Sequence, residues 1–116
     1  MNARRDEVEK LKIDLLKSAE LLVTGEGNPA LRHTLDKFRP DIKRALVLNW
    51  IPEQGEDIYW ILTNTEEVLI VEVPRPGNDE SVAALEVVDI EVFRKRRLSA
   101  ETKRRFDAAL EIMKER

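Results

Sequence analysis

Three short apolar segments separated by turns place the strongest limit on how this chain can fold. They run from Ala45 to Ile51, from Asp57 to Thr63 and from Glu67 to Val73. Each is rich in valine, isoleucine, leucine or aromatic residues, which favour extended structure, and turn-forming residues separate one segment from the next. The stretch from Ile42 to Val73 therefore predicts three antiparallel strands connected as a meander.

The three predicted strands are apolar on both faces. In the first of them, Leu46, Leu48 and Trp50 are expected on one face, and Val47 and Ile51 on the other. Antiparallel strands with one face in water alternate apolar and polar residues instead. Both faces of this sheet must therefore be covered, at least in part, by the helices of the chain or by a partner.

Apolar residues recur at helical spacing in three other stretches of the chain. We predict a first helix over residues 3–23, a second that Asn28 caps and that ends near Phe38, and a last helix from Ala100 to Lys114 that Ser99 caps. The side chains expected to face the core are Val8, Leu11, Leu15, Leu16, Ala19 and Leu22 in the first helix, Leu31, Leu35 and Phe38 in the second, and Phe106, Ala109, Leu110 and Met113 in the last.

A longer fourth strand is predicted from Val82 to Phe93. Its apolar residues change face once, and one extra residue at Val87–Val88 restores a single apolar face, as a β-bulge does. In an alternative interpretation, Ser81 caps a short helical turn and the strand begins near Val87.

These elements predict an α+β fold in the order α-α-β-β-β-β-α, with a four-stranded, mostly antiparallel meander. The length of 116 residues is close to the usual size of one domain, so we expect residues 1–116 to form a single domain.

The sequence disfavours most catalytic and metal-dependent functions. It has no cysteine, which excludes thiolate nucleophiles and cysteine-bound metals, and its single histidine, His33, is expected on the polar side of the second helix. It has no phosphate-binding glycine loop, no serine-hydrolase motif and no calcium-binding loop. We therefore expect no catalytic residue, metal ion or cofactor. An enzyme or small-ligand pocket built from dispersed carboxylates near Tyr59 and Trp60 is the least favoured hypothesis.

Charge is distributed unevenly along a chain whose net charge is −3. Residues 52–91 hold eleven acidic residues and one basic residue, Arg75, whereas residues 92–116 hold nine basic and four acidic ones. Such asymmetry indicates what kind of partner a protein binds and not how it folds. The residues that could bind phosphates are Arg94, Lys95, Arg96, Arg97, Lys103, Arg104 and Arg105.

Two interpretations of this basic run are open. The first is that the acidic middle of the chain or the solvent neutralises it, and the second is that it belongs to a regulatory domain that contacts nucleic acid. The run contains no interleaved aromatic residues for stacking on bases. Lys103 and Arg104 also lie in the first turn of the last helix, where cations oppose the helix dipole, and this indicates an acidic neighbour. We favour neutralisation.

The aromatic and acidic residues around the first turn of the meander are the preferred site for a partner. They are Trp50, Glu53, Glu56, Asp57, Tyr59 and Trp60. Aromatic residues are enriched both in cores and at the energetic centres of interfaces, and at least one of the two tryptophans is expected in the core. The preferred hypothesis is an acidic, aromatic-anchored surface that binds a basic protein, with the acidic rim steering association.

The expected location follows from segments that the sequence lacks. The N-terminal residues have no apolar region of a signal peptide, and no run approaches the ~18 apolar residues of a membrane span. We therefore expect a soluble, cytoplasmic protein. By analogy of size, charge and lack of cysteine, an immunity protein that neutralises a toxin is one concrete form of the preferred hypothesis, and a homodimer through the second face of the sheet is another arrangement that the sequence allows.

Overall fold

The four strands form one antiparallel sheet in which spatial order follows chain order, so the predicted α+β meander is confirmed. The computed structural model describes residues 3–24, 29–75 and 83–115, and within the first range it describes the side chains of residues 6–20. The helices are α1 (Ala3–Thr24), α2 (Pro29–Phe38), α3 (Ile90–Arg94) and α4 (Ala100–Lys114), and the strands are β1 (Leu46–Glu53), β2 (Glu56–Leu62), β3 (Glu67–Pro74) and β4 (Ala84–Asp89).

Helices cover both faces of the sheet, which explains why its strands have no polar face. The α4 cluster lies between the sheet and α1, α3 and α4, and its largest fully buried members are Leu15, Leu46, Leu48, Leu62, Val68 and Phe93. The α2 cluster lies on the opposite face and consists of Leu31, Leu35, Ala45, Ile61, Leu69, Val71 and Val73. Both sets exclude apolar surface from water, which is the main favourable term in folding.

Strand β1 contains a bulge that the sequence analysis did not predict. Val47 pairs with Ile61, and Asn49 pairs with Trp60, the residue before Ile61 in β2. Leu48 lies between Val47 and Asn49 without a partner in β2, so it is an extra residue. An extra residue of this kind interrupts the ladder of hydrogen bonds and bends the strand.

The bulge places Trp50 on the opposite face of the sheet from the one predicted. Trp50 pairs with Tyr59, whose side chain packs against the α2 cluster, whereas Leu46 and Leu48 belong to the α4 cluster. The predicted face of Trp50 is therefore wrong, because one extra residue inverts the alternation of every residue that follows it in the strand.

Strand β4 is shorter than predicted and regular. It pairs with β3 from Ala84 to Asp89 without a shift of register, so the predicted bulge at Val87–Val88 is wrong. The alternative start near Val87 is wrong as well, because the strand begins at Ala84. Ser81, the cap in that alternative, lies outside the described residues.

The change of apolar face that suggested a bulge marks a change from strand to helix. The carboxylate of Asp89 accepts a hydrogen bond from the backbone N–H of Glu91 at 2.8 Å and caps the short helix α3. This turn carries Phe93 into the α4 cluster, where it is fully buried. The predicted strand to Phe93 therefore ends four residues early.

Helix α4 begins and ends where the sequence predicts. The Oγ atom of Ser99 accepts a hydrogen bond from the backbone N–H of Thr102 at 3.1 Å, and Phe106 and Leu110 are buried. In α1, Leu15 is buried as predicted, but Leu16 is exposed, so the buried stripe is narrower than expected.

Helix α2 begins at Pro29, and the predicted N-cap, Asn28, lies outside the described residues. Leu31 and Leu35 are buried as predicted, whereas Phe38 at the end of the helix is exposed. Within the described part of the chain, none of the helices has the length and apolar character that crossing a membrane requires.

Candidate functional site

Trp50 is a large apolar side chain that the fold holds in an exposed position. It lies on β1, which forms one edge of the sheet, and 57% of its surface is accessible to solvent. Its indole N–H donates a hydrogen bond to Oδ1 of Asp57 on β2 at 3.0 Å. A single exposed apolar residue is ordinary, but here a hydrogen bond orients the ring.

Asp57 also forms an ion pair with Arg75. Nη2 of Arg75 lies 2.8 Å from Oδ1 of Asp57, and Nε lies 3.4 Å from Oδ2, so the guanidinium contacts both carboxylate oxygens. The side chain of Asp57 is only 14% exposed. Hydrogen bonds from Arg75 lower the pKa of this carboxyl group, the hydrogen bond from Trp50 lowers it further, and burial partly opposes both. Asp57 therefore stays ionised as an acceptor at neutral pH.

The backbone places Arg75 within reach of Asp57. The N–H of Arg75 donates to the carbonyl oxygen of Gly55 at 2.9 Å, which extends the pairing of β2 and β3 by one residue beyond Pro74. Gly55 has φ of 85°, a conformation that suits glycine, in the tight turn that joins β1 to β2. Trp50, Asp57, Arg75 and the neighbouring Tyr59 are called the Trp50 surface below.

The structure brings together only part of the predicted partner site. Tyr59 is half-buried opposite Trp50 on the α2 side of the sheet. Trp60 belongs to the other face, where its ring meets Phe93 edge-on with centroids 5.6 Å apart, so it is the core tryptophan that the sequence predicted. Trp60 is thereby separated from Trp50 by the thickness of the sheet.

The two glutamates of the predicted site lie at the tip of the β1–β2 hairpin. Glu53 and Glu56 face each other across the ladder, with Glu53 exposed and Glu56 half-buried. Because Asp57 is paired with Arg75, these glutamates are the carboxylates of the predicted site that have no ion-pair partner among the described residues, and the register places both on the face of Trp60 rather than on that of Trp50.

Arg105 supports the bulge beside Trp50. Its Nε donates to the carbonyl oxygen of Leu48 at 3.0 Å and its Nη2 donates to that of Val47 at 2.8 Å. A cleft of about 350 Å³ lies between β1 and the start of α4 and is lined by Val47, Leu48, Asn49, Trp50, Ser99, Glu101, Thr102 and Arg105. Arg105 is therefore engaged inside the fold, unlike a free phosphate-binding residue.

The remaining members of the predicted phosphate-binding run differ in their contacts. Arg94 forms an ion pair with Glu91 at 3.6 Å, and its guanidinium lies 5.5 Å from the centre of the Phe106 ring. The other five, Lys95, Arg96, Arg97, Lys103 and Arg104, are exposed, and in the described ranges none of them lies within ion-pair distance of an acidic side chain. Among the described residues, direct pairing with the acidic middle of the chain, one of the two forms of neutralisation that the sequence favoured, is thus limited to Arg94 and Glu91.

The sequence analysis missed two groups of residues that the structure places at candidate sites. The first is Arg75: its position as the single basic residue among residues 52–91 was a signal, but its contact with Asp57 depends on the register of β2 and β3. Two adjoining clefts of about 220 Å³ each lie after α2, and Arg39, Lys43 and Arg44 line both of them. Arg39 is already bound to Glu67, with 2.7 Å between Nη2 and Oε1.

The single histidine and the carboxylates are the side chains of this cysteine-free chain that could bind a metal ion. His33 lies on the exposed side of α2, as predicted. Within residues 3–24, 29–75 and 83–115, histidine and carboxylate side chains form no group of three that could hold a metal ion.

Comparison with known proteins identifies no relative: no protein-family model, no curated protein and no solved structure matches this chain.

Proposed function

We propose that this protein acts by binding another protein, without catalysis, and that the Trp50 surface is the contact. The observation that carries the proposal is the fixed, exposed ring of Trp50, whose N–H is bound to Asp57 while more than half of its area faces solvent. Tryptophan is enriched among the residues that dominate binding energy at interfaces. Since the ring is already ordered, a partner that packs on it loses less conformational entropy on binding.

The charges around Trp50 indicate a partner with a basic surface. Glu53 is exposed at the tip of the hairpin that carries Trp50, Glu56 lies opposite it in the ladder, and the exposed Glu101 lines the same cleft as Trp50 on the α4 side of the sheet. Arg75 neutralises Asp57, so that aspartate orients the ring instead of attracting a partner. Exposed acidic residues at the rim of an interface mainly accelerate encounter with a cationic partner.

An inhibitor of the immunity type, which covers a basic surface of a toxin, is the concrete form that we propose for this interaction. The support is the analogy of size, charge and lack of cysteine together with an exposed aromatic anchor and exposed acidic residues at the same edge of the sheet. The lack of cysteine fits a reducing compartment, so the proposal places the protein in the cytoplasm.

The test is affinity capture from the native host with the wild-type chain, Trp50→Ala and Val92→Ala, followed by measurement of the Kd of the captured partner. Val92 is the matched control because it is an apolar residue on α3 with similar exposure, 55%. We expect Trp50→Ala to weaken binding by about 30-fold, since a truncated anchor costs about 2 kcal/mol. Val92→Ala should bind like the wild type.

Two outcomes would contradict the proposal. A partner that binds Trp50→Ala as tightly as the wild-type chain does would exclude the Trp50 surface as the contact. Light scattering that shows a dimer of the wild-type chain and a monomer of Trp50→Ala would assign the surface to a second copy instead. Thermal unfolding of each variant checks that the fold is retained.

A further inference from the structure

The basic residues that the fold does not use form a surface of their own at the connection between α3 and α4. Lys95, Arg96 and Arg97 occupy the turn, and Lys103 and Arg104 follow in the first turns of α4. These five residues are called the basic surface below. All five are exposed, and the described residues offer none of them an ion-pair partner.

The turn that carries the basic surface is ordered by contacts at both ends. The backbone N–H groups of Lys95 and Arg96 donate to the carbonyl oxygens of Val92 and Phe93 at 3.2 and 3.0 Å. At the start of α4, the hydroxyl groups of Ser99 and Thr102 are hydrogen-bonded at 2.9 Å. The cations are therefore mounted on a fixed backbone, which reduces the entropy lost on binding.

The two halves of the basic surface lie next to each other in space. Arg94, just before the turn, and Lys103 of α4 line one cleft together with Leu98, Phe106 and Asp107. The stacking of Arg94 on Phe106 holds this side of the cleft in place. The start of the turn and the first turn of α4 thus adjoin, which brings Lys103 close to the segment that carries Lys95, Arg96 and Arg97.

Positive charge on this surface is costly to the isolated protein. Lys103 ends the first turn of α4, where the positive end of the helix dipole repels cations, and Arg104 follows directly after it. Like charges also repel one another across Lys95, Arg96 and Arg97. An external anion with several negative charges would relieve both effects at once.

We propose that the basic surface binds the phosphate backbone of double-stranded nucleic acid. Three of its five residues are arginines, whose planar guanidinium groups contact phosphates with two hydrogen bonds. The nearby aromatic residues, Phe93 and Phe106, are buried and cannot stack on bases. This composition favours contacts with the backbone of a duplex, which position a protein without reading the bases.

A membrane surface fits this part of the molecule less well. Binding along a membrane interface uses an amphipathic helix with a broad apolar face. Helix α3 has five residues, and its exposed large apolar residue is Val92. The basic surface therefore has cations for phosphate groups but little apolar area for insertion between lipids.

The test is binding of the full chain to a fluorescently labelled DNA duplex of about 20 base pairs, followed by anisotropy from about 50 mM salt upward. We expect the logarithm of the association constant to fall with the logarithm of the salt concentration with a slope of about −3 to −4.5, because each contacted phosphate contributes about −0.9. The double substitution Arg96→Ala and Arg97→Ala should make the slope shallower by about 2.

The matched control is the double substitution Arg32→Ala and Lys37→Ala, which removes two exposed cations from α2. It should leave the slope unchanged, and so should Trp50→Ala, so this proposal can fail independently of the proposed function. Absence of binding at about 50 mM salt would overturn the proposal, as would an equal loss of slope in the control. Tighter binding to phosphatidylserine vesicles than to the duplex would assign the basic surface to membranes and would also overturn it.

Discussion

Replacing Phe93 with alanine is expected to lower the free energy of unfolding by about 3–5 kcal/mol, as truncation of a buried phenylalanine does. Phe93 is fully buried, and its ring packs against Trp60 and Phe106 with centroids 5.6 and 5.0 Å away. It joins β2, α3 and α4, so its removal leaves a cavity where three elements meet. Equilibrium unfolding in urea measures the loss.

The neighbouring residue provides the control for this substitution. Val92→Ala removes exposed apolar atoms from the same helix, so the free energy of unfolding should change by no more than about 0.5 kcal/mol. A loss below about 1 kcal/mol for Phe93→Ala would show that Phe93 does not pack in the core as described, because truncating a buried phenylalanine to alanine costs more than that.

Replacing Arg105 with methionine is expected to cost about 1.5–3 kcal/mol of stability. Methionine retains most of the length of the side chain but donates no hydrogen bond. The carbonyl oxygens of Val47 and Leu48 at the bulge would lose the charged donor that lies 2.8 and 3.0 Å away. Since the bulge sets the face on which Trp50 lies, this variant should also bind the partner more weakly.

The adjacent residue again provides a control. Arg104→Met changes the charge equally at an exposed position without an ion-pair partner among the described residues, and it should alter stability by no more than about 0.5 kcal/mol. Equal stability of the two variants in urea would show that Arg105 does not support the bulge.

Local signals in the sequence were sufficient to predict α4 and the meander. Ser99 and the apolar stripe of Phe106 and Leu110 predicted α4, because a cap and a period of 3.6 residues lie within the helix itself. The meander was also predicted correctly, since its turns are short and its strands are rich in β-branched residues.

The bulge in β1, which the sequence analysis missed, depends on residues far apart in the chain. The β1 bulge is stabilised by Arg105, 58 positions after Val47. No pattern within β1 reveals that donor, so the face of Trp50 could not be predicted by alternation alone. The end of β4 had a local cause, the cap at Asp89, but a bulge explained the same change of apolar face equally well.

The candidate site was predicted in part for the same reason. Trp50 and Asp57 belong to one hairpin, so their proximity followed from the short turn between them. Arg75, which binds Asp57, lies 18 positions further along the chain. Its contact depends on the pairing of β2 with β3, and only the register of those strands shows that the two residues meet.

The proposed function requires that Trp50 be exposed and held in one orientation before a partner binds. The variant Trp60→Phe leaves Trp50 as the sole tryptophan, so fluorescence then reports on that ring alone. We expect an emission wavelength close to that of tryptophan in water, quenching by iodide, and an anisotropy that decays only with the tumbling of the whole protein. Adding Arg75→Ala should introduce a fast decay. Emission typical of a buried tryptophan, or a fast decay of the anisotropy while Arg75 is still present, would contradict this prediction.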